Sequence, residues 1–268
     1  MERMSRLMIW ISGTDTSSGK TVVTAGLTAA IKRQGKEVRA VKLVQTGCRK
    51  DENAAMSAPD VLVYEKVAPL TPAEALLSFE DACSPHLAAG LAGLEICSSS
   101  LMNDLERAML EAEVTLVEAA GGPLCPLNGT ESMADFFMVQ PKSFKTKVVL
   151  VVANRLGCIN QAMLSLEALR NRGLGPVGLV FTNPDPQPDY KRPDSSFLLE
   201  EAIRKENIRY ISEVGGIECL AEIPHLPELA AGDGFSYKDG LEKTWGRLTD
   251  CLTAAASFLI SENNELEE

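Results

Sequence analysis

The nine residues Gly13-Thr14-Asp15-Thr16-Ser17-Ser18-Gly19-Lys20-Thr21 constrain this chain more than any other stretch. They match G-x-x-x-x-G-K-[ST] at every specified position, the pattern of a loop that wraps phosphate. The neighbours suit it: Leu7-Met8-Ile9-Trp10-Ile11 reads as a buried strand, and Val23, Leu27, Ala30 and Ile31 fall at helical spacing. Glycines in such a loop let backbone N–H groups approach phosphate oxygens with no Cβ in the way, and the following helix N-terminus adds positive potential. Lys20 is placed to reach the outer phosphates and the Thr21 hydroxyl to hold Mg²⁺. The expectation is a protein that uses ATP or GTP with Mg²⁺.

A chain of 268 residues holds one large α/β domain or two small ones. Its net charge of -11 argues against a nucleic-acid footprint, and any positive charge for an anionic ligand has to be focused locally. The seven cysteines contain no C-x-x-C pair and no zinc spacing, so they read as reduced thiols of a cytoplasmic protein. No stretch reaches eighteen apolar residues and the start does not read as a signal peptide, so no membrane partner is expected.

Strand and helix patterns alternate along the chain. Strands are expected at Val38–Val44, Val114–Glu118, Lys147–Ala153, Val177–Phe181 and near Cys219–Ile223. Helices are expected at Ser98–Glu113, at Ile159–Leu169, near 196–206, and as a closing helix from Leu241 to Leu259. Residues 66–97, with three prolines, read as short helices, and Asp60–Tyr64 reads as either a strand or the start of a helix. The proline-rich stretch 184–193 reads as a surface loop, and the acidic residues 261–268 as a disordered tail. The predicted fold is a single α/β domain over 1–260: a mostly parallel sheet with helices on both faces, of P-loop NTPase type. Ligands in such sheets sit at the carboxyl ends of the strands. The phosphate loop, the Lys42–Thr46 segment, Glu118 and the turn after Ala153 all fall there.

Glu118 ends an apolar strand, so it can join Thr21 as an oxygen ligand of Mg²⁺. Asp60 is a third acid whose context alone favours a solvated loop residue. Lys42, at a strand's carboxyl end, is either solvated or a second positive charge facing the phosphates. No N-K-x-D stands in the chain for guanine readout, and two histidines give little material for a triad or metal site. His225, between Pro224 and Leu226-Pro227, reads as a packed turn.

Seven segments, in order, resemble the dethiobiotin synthetase family, which closes a ureido ring with ATP and CO₂. Residues 13–21 match that family's G-T-D-T-x-x-G-K-T throughout. Lys42-Leu43-Val44-Gln45-Thr46-Gly47 resembles its K-P-V-x-[ST]-G, Ser84-Pro85-His86 its S-P-H, and Val117-Glu118-Ala119-Ala120-Gly121-Gly122 its V-E-G-A-G-G. Leu156-Gly157-Cys158-Ile159-Asn160 resembles L-G-x-I-N, Thr182-Asn183-Pro184 the x-N-x turn, and Glu222-Ile223-Pro224 E-I-P.

The resemblance implies that Gly13, Thr14, Asp15, Thr16, Ser17, Ser18, Gly19, Lys20 and Thr21 bind the ATP phosphates, with Thr21, Asp60 and Glu118 around Mg²⁺. It implies that Lys20 and Lys42 flank the transferred phosphoryl group, and that Thr46 bonds the substrate near its reacting nitrogen. It assigns the adenine edge to Asn183 and Pro224. It gives the carboxylate of diaminopelargonate to the turn Leu156, Gly157, Cys158, Ile159 and Asn160, across a homodimer interface. Departures are Leu43 where the family has proline, Ala119 where it has glycine, and the polar pair Asn154-Arg155. A glycine with φ > 0 at 119 would make alanine costly. One rival is an amidating synthase, which would need a glutamine-hydrolysing domain for which the chain has no room. The other is an ATPase switch of the ParA/MinD kind, which carries lysine where Thr14 stands; membrane-cycling members of that kind end in a basic helix, whereas this chain ends in acid.

Overall fold

A computed structural model describes residues 6–50, 56–139, 144–183, 194–226 and 241–261. Nine strands and eight helices are found among them: β1 Arg6–Gly13, α1 Lys20–Arg33, β2 Val38–Gln45, β3 Arg49–Lys50, β4 Met56–Ser57, α2 Pro59–Val67, β5 Ala73–Ser78, α3 Pro85–Leu91 and α4 Ser98–Met109. β6 Val114–Glu118, α5 Met133–Met138, β7 Phe144–Ala153, α6 Cys158–Arg170, β8 Gly178–Thr182, α7 Asp194–Gly215, β9 Cys219–Ile223 and α8 Glu242–Ile260 follow. Seven strands form one sheet in the order β5-β2-β6-β1-β7-β8-β9, all of their pairings parallel. β3 and β4 make a separate antiparallel ribbon. The carboxyl ends of β1, β2, β6 and β7 thus share one edge, which is where the sequence placed its candidates.

Side chains alternate along each strand, and the two faces bury separate cores. Met8 and Trp10 point into one, with Val41, Leu43, Val117 and Phe181 beneath α4, α5, α6 and α7. Ile9 and Ile11 point into the other, with Ala40, Leu116 and Val151 beneath α1, α2 and α8. Trp10 stacks on Phe137 of α5 with ring centroids 4.1 Å apart. Gly26 lets α1 and α8 come together, since a Cβ there would lie 2.5 Å from Leu252 Cδ1.

Two expectations are corrected. The stretch 66–97 holds an edge strand, β5, besides the short helix α3. Ala-Glu-Ala-Leu-Leu-Ser lacks β-branched residues, and pairing with β2 overrides its weak propensity. The helix expected near 196–206 runs from Asp194 to Gly215. Asp60–Tyr64 resolves as helix, with Pro59 in its first turn, where a missing N–H costs nothing. The loop 184–193 and the tail beyond residue 261 lie outside the described residues.

Candidate active site

The phosphate loop leaves the end of β1, turns back and enters α1. A Cβ on Gly13 would lie 2.3 Å from Ser18 Oγ, and Gly19 has a φ of +92 that L side chains rarely adopt. Both glycines are therefore set by geometry. Thr14 N–H donates to the Val151 carbonyl at 3.0 Å, and the Thr182 hydroxyl donates to the Ser18 carbonyl at 2.8 Å, so β7 and β8 brace the loop. Thr16, Ser17, Gly19, Lys20 and Thr21 face a cleft of about 880 Å³, which Lys42, Gln45, Thr46, Asp60, Glu118, Asn183, Pro224 and His225 also line.

Lys20, Thr21, Lys42, Asp60 and Glu118 converge on the floor of this cleft. Glu118, at the end of β6, is fully buried. Its Oε1 accepts from the Thr21 hydroxyl at 3.1 Å and from Lys42 Nζ at 2.5 Å, and its Oε2 accepts from the Tyr64 hydroxyl. Lys42 Nζ also lies 2.6 Å from Asp60 Oδ2. Asp60 N–H in turn donates to Gln45 Oε1 at 3.2 Å, which ties the start of α2 to the end of β2. Lys20 Nζ donates to the Asp15 carbonyl at 2.9 Å.

Buried charges on this scale persist only when each has partners. Burial would lower the pKa of Lys42, but Asp60 and Glu118 outweigh it and hold the ammonium charged. Burial would raise the Asp60 carboxyl, and Lys42 outweighs that, keeping it below the usual carboxylate range. Lys20 goes the other way: burial, then the Lys42 ammonium, bring it down to about 8. Burial and then the Glu118 charge push the Tyr64 phenol well above its usual value, so it remains a donor. Thr21, Asp60 and Glu118 together offer only hard oxygen donors, and few of them, which suits Mg²⁺ completing its shell with phosphate and water. Among the described residues no group of three or more His, Cys, Asp and Glu competes with them as a metal site.

At the far wall Asn183 Nδ2 donates to Glu222 Oε1 and to the Ile223 carbonyl, both at 2.9 Å. Both are pure acceptors, so the amide orientation is fixed, and Asn183 Oδ1 has no partner among the described residues. The turn 156–160 is not part of this cleft. Leu156 is 100% exposed, and Gly157, with a φ of +92, opens α6. Arg155 Nη2 lies 3.7 Å from Asp15 Oδ2, an exposed link between this turn and the phosphate loop.

Sequence reading missed Tyr64, Gln45 and the exposure of His225 to the cleft. Tyr64 was findable: once Pro59 marks a helix start, Asp60 and Tyr64 stand four apart on one face. Ala119 needs no glycine, because Ser17 and Leu70 are the only non-glycine residues of positive φ among those described. The cost contemplated for alanine there does not arise.

A seven-stranded parallel sheet with a phosphate loop at its centre makes this a P-loop ATPase-type domain. The chain matches the family described as AAA domain over residues 8–232. Its fold is shared with the septum site-determining protein MinD of Pyrococcus horikoshii OT3, whose structure is a complex with Mg-ADP (TM-score 0.56, 18% identity, covering 97% of this chain and 98% of that one). That likeness extends to the fold alone. Sequence similarity is more specific. The ATP-dependent dethiobiotin synthetase BioD of Cellvibrio japonicus is 34% identical over 245 residues, 88% of this chain and 97% of that protein. BioD of Pseudomonas aeruginosa strain UCBPP-PA14 is 35% identical over 229 residues, 82% of this chain and 90% of that protein. The chain belongs to the dethiobiotin synthetase family.

Proposed function

We infer that this chain closes the ureido ring of dethiobiotin from diaminopelargonate, CO₂ and ATP, a step of biotin biosynthesis. The observation that carries this reading is the convergence of Lys20, Thr21, Lys42, Asp60 and Glu118 at the foot of one cleft, in a chain of this family. One substrate amine takes up CO₂ to give a carbamate, with loss of a proton. The carbamate oxygen attacks the γ-phosphorus, ADP leaves, and a carbamic–phosphoric anhydride results. The second amine attacks the anhydride carbonyl, the ring closes, and phosphate is expelled.

No side chain has to be a nucleophile. The protein's task is to place charge and exclude water. Lys20, in reach of the phosphate loop, and Lys42, held charged by two carboxylates, are placed to neutralise the transferred group. Thr46, on the cleft wall beyond β2, is the hydrogen-bonding residue for the substrate near its reacting nitrogen. Asn183 Oδ1 is the acceptor for the adenine amino group, with Pro224 beside it. Thr21, Asp60 and Glu118 are the holders of Mg²⁺, which when bound supplies positive charge against the phosphate oxygens.

The turn 156–160 completes the site of a partner subunit in a homodimer. The Cys158 N–H donates to the Arg155 carbonyl at 3.0 Å, which leaves the next N–H groups of α6, those of Ile159 and Asn160, for a carboxylate, and the apolar Leu156 and Leu164, 100% and 58% exposed, give that face a reason to be covered. No helix of the described residues is long and apolar enough to cross a membrane.

The test is turnover with Mg²⁺, ATP and bicarbonate, with and without diaminopelargonate, following ureido product by mass spectrometry. Product that requires every component and is lost in Lys42→Ala establishes the reading. ATP binding or hydrolysis without product would instead return the chain to a switch-type ATPase.

A further inference from the structure

Tyr64 is a fully buried phenol that the proposed chemistry does not use. It lies one turn after Asp60 on α2, and its hydroxyl donates to Glu118 Oε2. The other oxygen of that carboxylate, Oε1, is the one addressed by Thr21 and Lys42. The phenol therefore fixes which oxygen of Glu118 faces the cleft and which faces the core. It also sets the plane of the carboxylate, since a buried acid held at both oxygens cannot rotate. The ring is locked in turn by its place in the apolar core beneath α1 and α2, among Val63, Val67 and Leu27. α2 thus contributes twice: Asp60 at its first turn, and the group that aims the opposite carboxylate.

We propose that Tyr64 is the positioning residue of the metal site, orienting Glu118 so that Oε1 is presented to Mg²⁺ together with Thr21 and Asp60. The proposal rests on the reading of Thr21, Asp60 and Glu118 as the Mg²⁺ holders. Residues that orient a ligand carboxylate are worth 10- to 100-fold in metal affinity in other proteins. The same range is expected here, because without the phenol Glu118 Oε2 loses its buried donor and the carboxylate is free to turn.

The test uses the full chain and Tyr64→Phe, which removes one oxygen and leaves the ring. ADP binding is measured first with metal chelated, by calorimetry, where it counts correctly folded protein. Mn²⁺ binding to the protein–ADP complex is then followed by electron paramagnetic resonance. The expected result is unchanged metal-free ADP binding with Mn²⁺ bound about tenfold more weakly or worse. Product formation should recover in part at high Mg²⁺. Unchanged Mn²⁺ affinity, even with a lowered melting temperature, overturns the proposal, because the hydroxyl then only satisfies a buried acid. If the wild-type protein–ADP complex itself binds no Mn²⁺, the metal-site reading falls and the proposal with it; the two failures are thereby told apart. Should Tyr64→Phe not fold, Tyr64→Met also removes the donor and puts a flexible apolar side chain in that space. Wild-type Mn²⁺ affinity there with metal-free ADP binding intact overturns the proposal, and a threefold or greater loss supports it.

Discussion

β1 and β7 lie side by side in the sheet, with Gly13 paired to Val151, yet the segments that leave them are finished to different degrees. Below the loop after β1, the charged groups are partnered within this chain and Lys42 and Glu118 are buried: Lys42 lies between Asp60 and Glu118, and Glu118 between Thr21, Lys42 and Tyr64. The turn after β7 is held by buried partners at its root and by the exposed Arg155–Asp15 pair beyond it. Asn154 Nδ2 donates to the Arg204 carbonyl at 3.1 Å and Asn154 Oδ1 accepts from Asn207 Nδ2 at 2.9 Å, which ties the start of the turn to α7. Beyond that root, Arg155, Leu156, Gly157 and Asn160 are exposed. On the proposed function, the difference means that phosphate chemistry is assembled inside one protomer, whereas the end that would take a substrate carboxylate would call for a second.

The sharpest way to break the closed side is Lys42→Ala. It removes the cation shared by two buried carboxylates and, on the proposed mechanism, one of the two ammonium groups at the phosphoryl centre. Product formation should fall roughly 100- to 1,000-fold, the range seen when one electrostatic stabiliser is deleted. Stability should also fall, by about 3 kcal/mol, because breaking a buried ion pair strands its partners. Steady-state turnover with a urea titration separates the two. Wild-type turnover would mean that Lys42 is a structural counter-ion only.

The open side is tested by Leu156→Glu. If this turn docks on a second copy, a charge in place of its exposed leucine should weaken dimerisation roughly thirtyfold or more, as loss of an apolar anchor does. Sedimentation velocity reads this directly. ADP binding should stay unchanged while product formation falls as the enzyme is diluted. A wild-type protein that sediments as a monomer while making product would remove the contrast between the two sides.

Much of this layout was readable in advance. The phosphate loop and the central strands are local patterns, so periodicity and glycine spacing reveal them. The meeting of Lys42, Asp60 and Glu118 depends on sheet order, which puts β2 next to β6, with Lys42 in register with Glu118; no local pattern carries that. Asp60 alone reads as a loop acid, and it is the helix α2, undecided from sequence, that turns it toward Lys42. β5 escaped because an edge strand of Ala, Glu and Leu has helical propensity. α5 escaped because six residues are too few for periodicity. Its start was nonetheless signalled by Ser132 and Asp135, spaced as a capping box with Asp in place of the more usual Glu.

That capping box supports the floor of one core and gives a smaller effect. Hydrogen bonds from Ser132 and then Arg172 hold the Asp135 carboxyl down at about 2. A carboxylate with a depressed folded pKa stabilises fully above its unfolded value and loses that contribution as pH falls toward the folded one. Asp135→Asn should therefore cost about 1 kcal/mol near neutral pH, the scale of a helix cap. The gap to wild type should narrow below roughly pH 4, where the unfolded-state carboxyl begins to protonate. Urea midpoints at several pH values check this, with turnover expected to stay unchanged. A gap constant down to pH 3 would mean that the carboxylate charge contributes nothing.

The smallest effect is expected at Ala119, the residue immediately after the most buried acid of the closed side. Relatives of the kind this sequence resembles carry glycine there, which suggests a backbone need. Here that need is absent: Ala119 does not have positive φ, is fully buried, and packs in the core that also holds Val117 and Leu43. Ala119→Gly should leave turnover within about twofold and lower stability by roughly 0.5–1 kcal/mol, the backbone-entropy cost of glycine in an ordered segment. A several-fold gain in turnover would show instead that the alanine restrains Glu118. The closed side would then be more tightly braced than its chemistry requires, and the contrast with the open turn after β7 would grow.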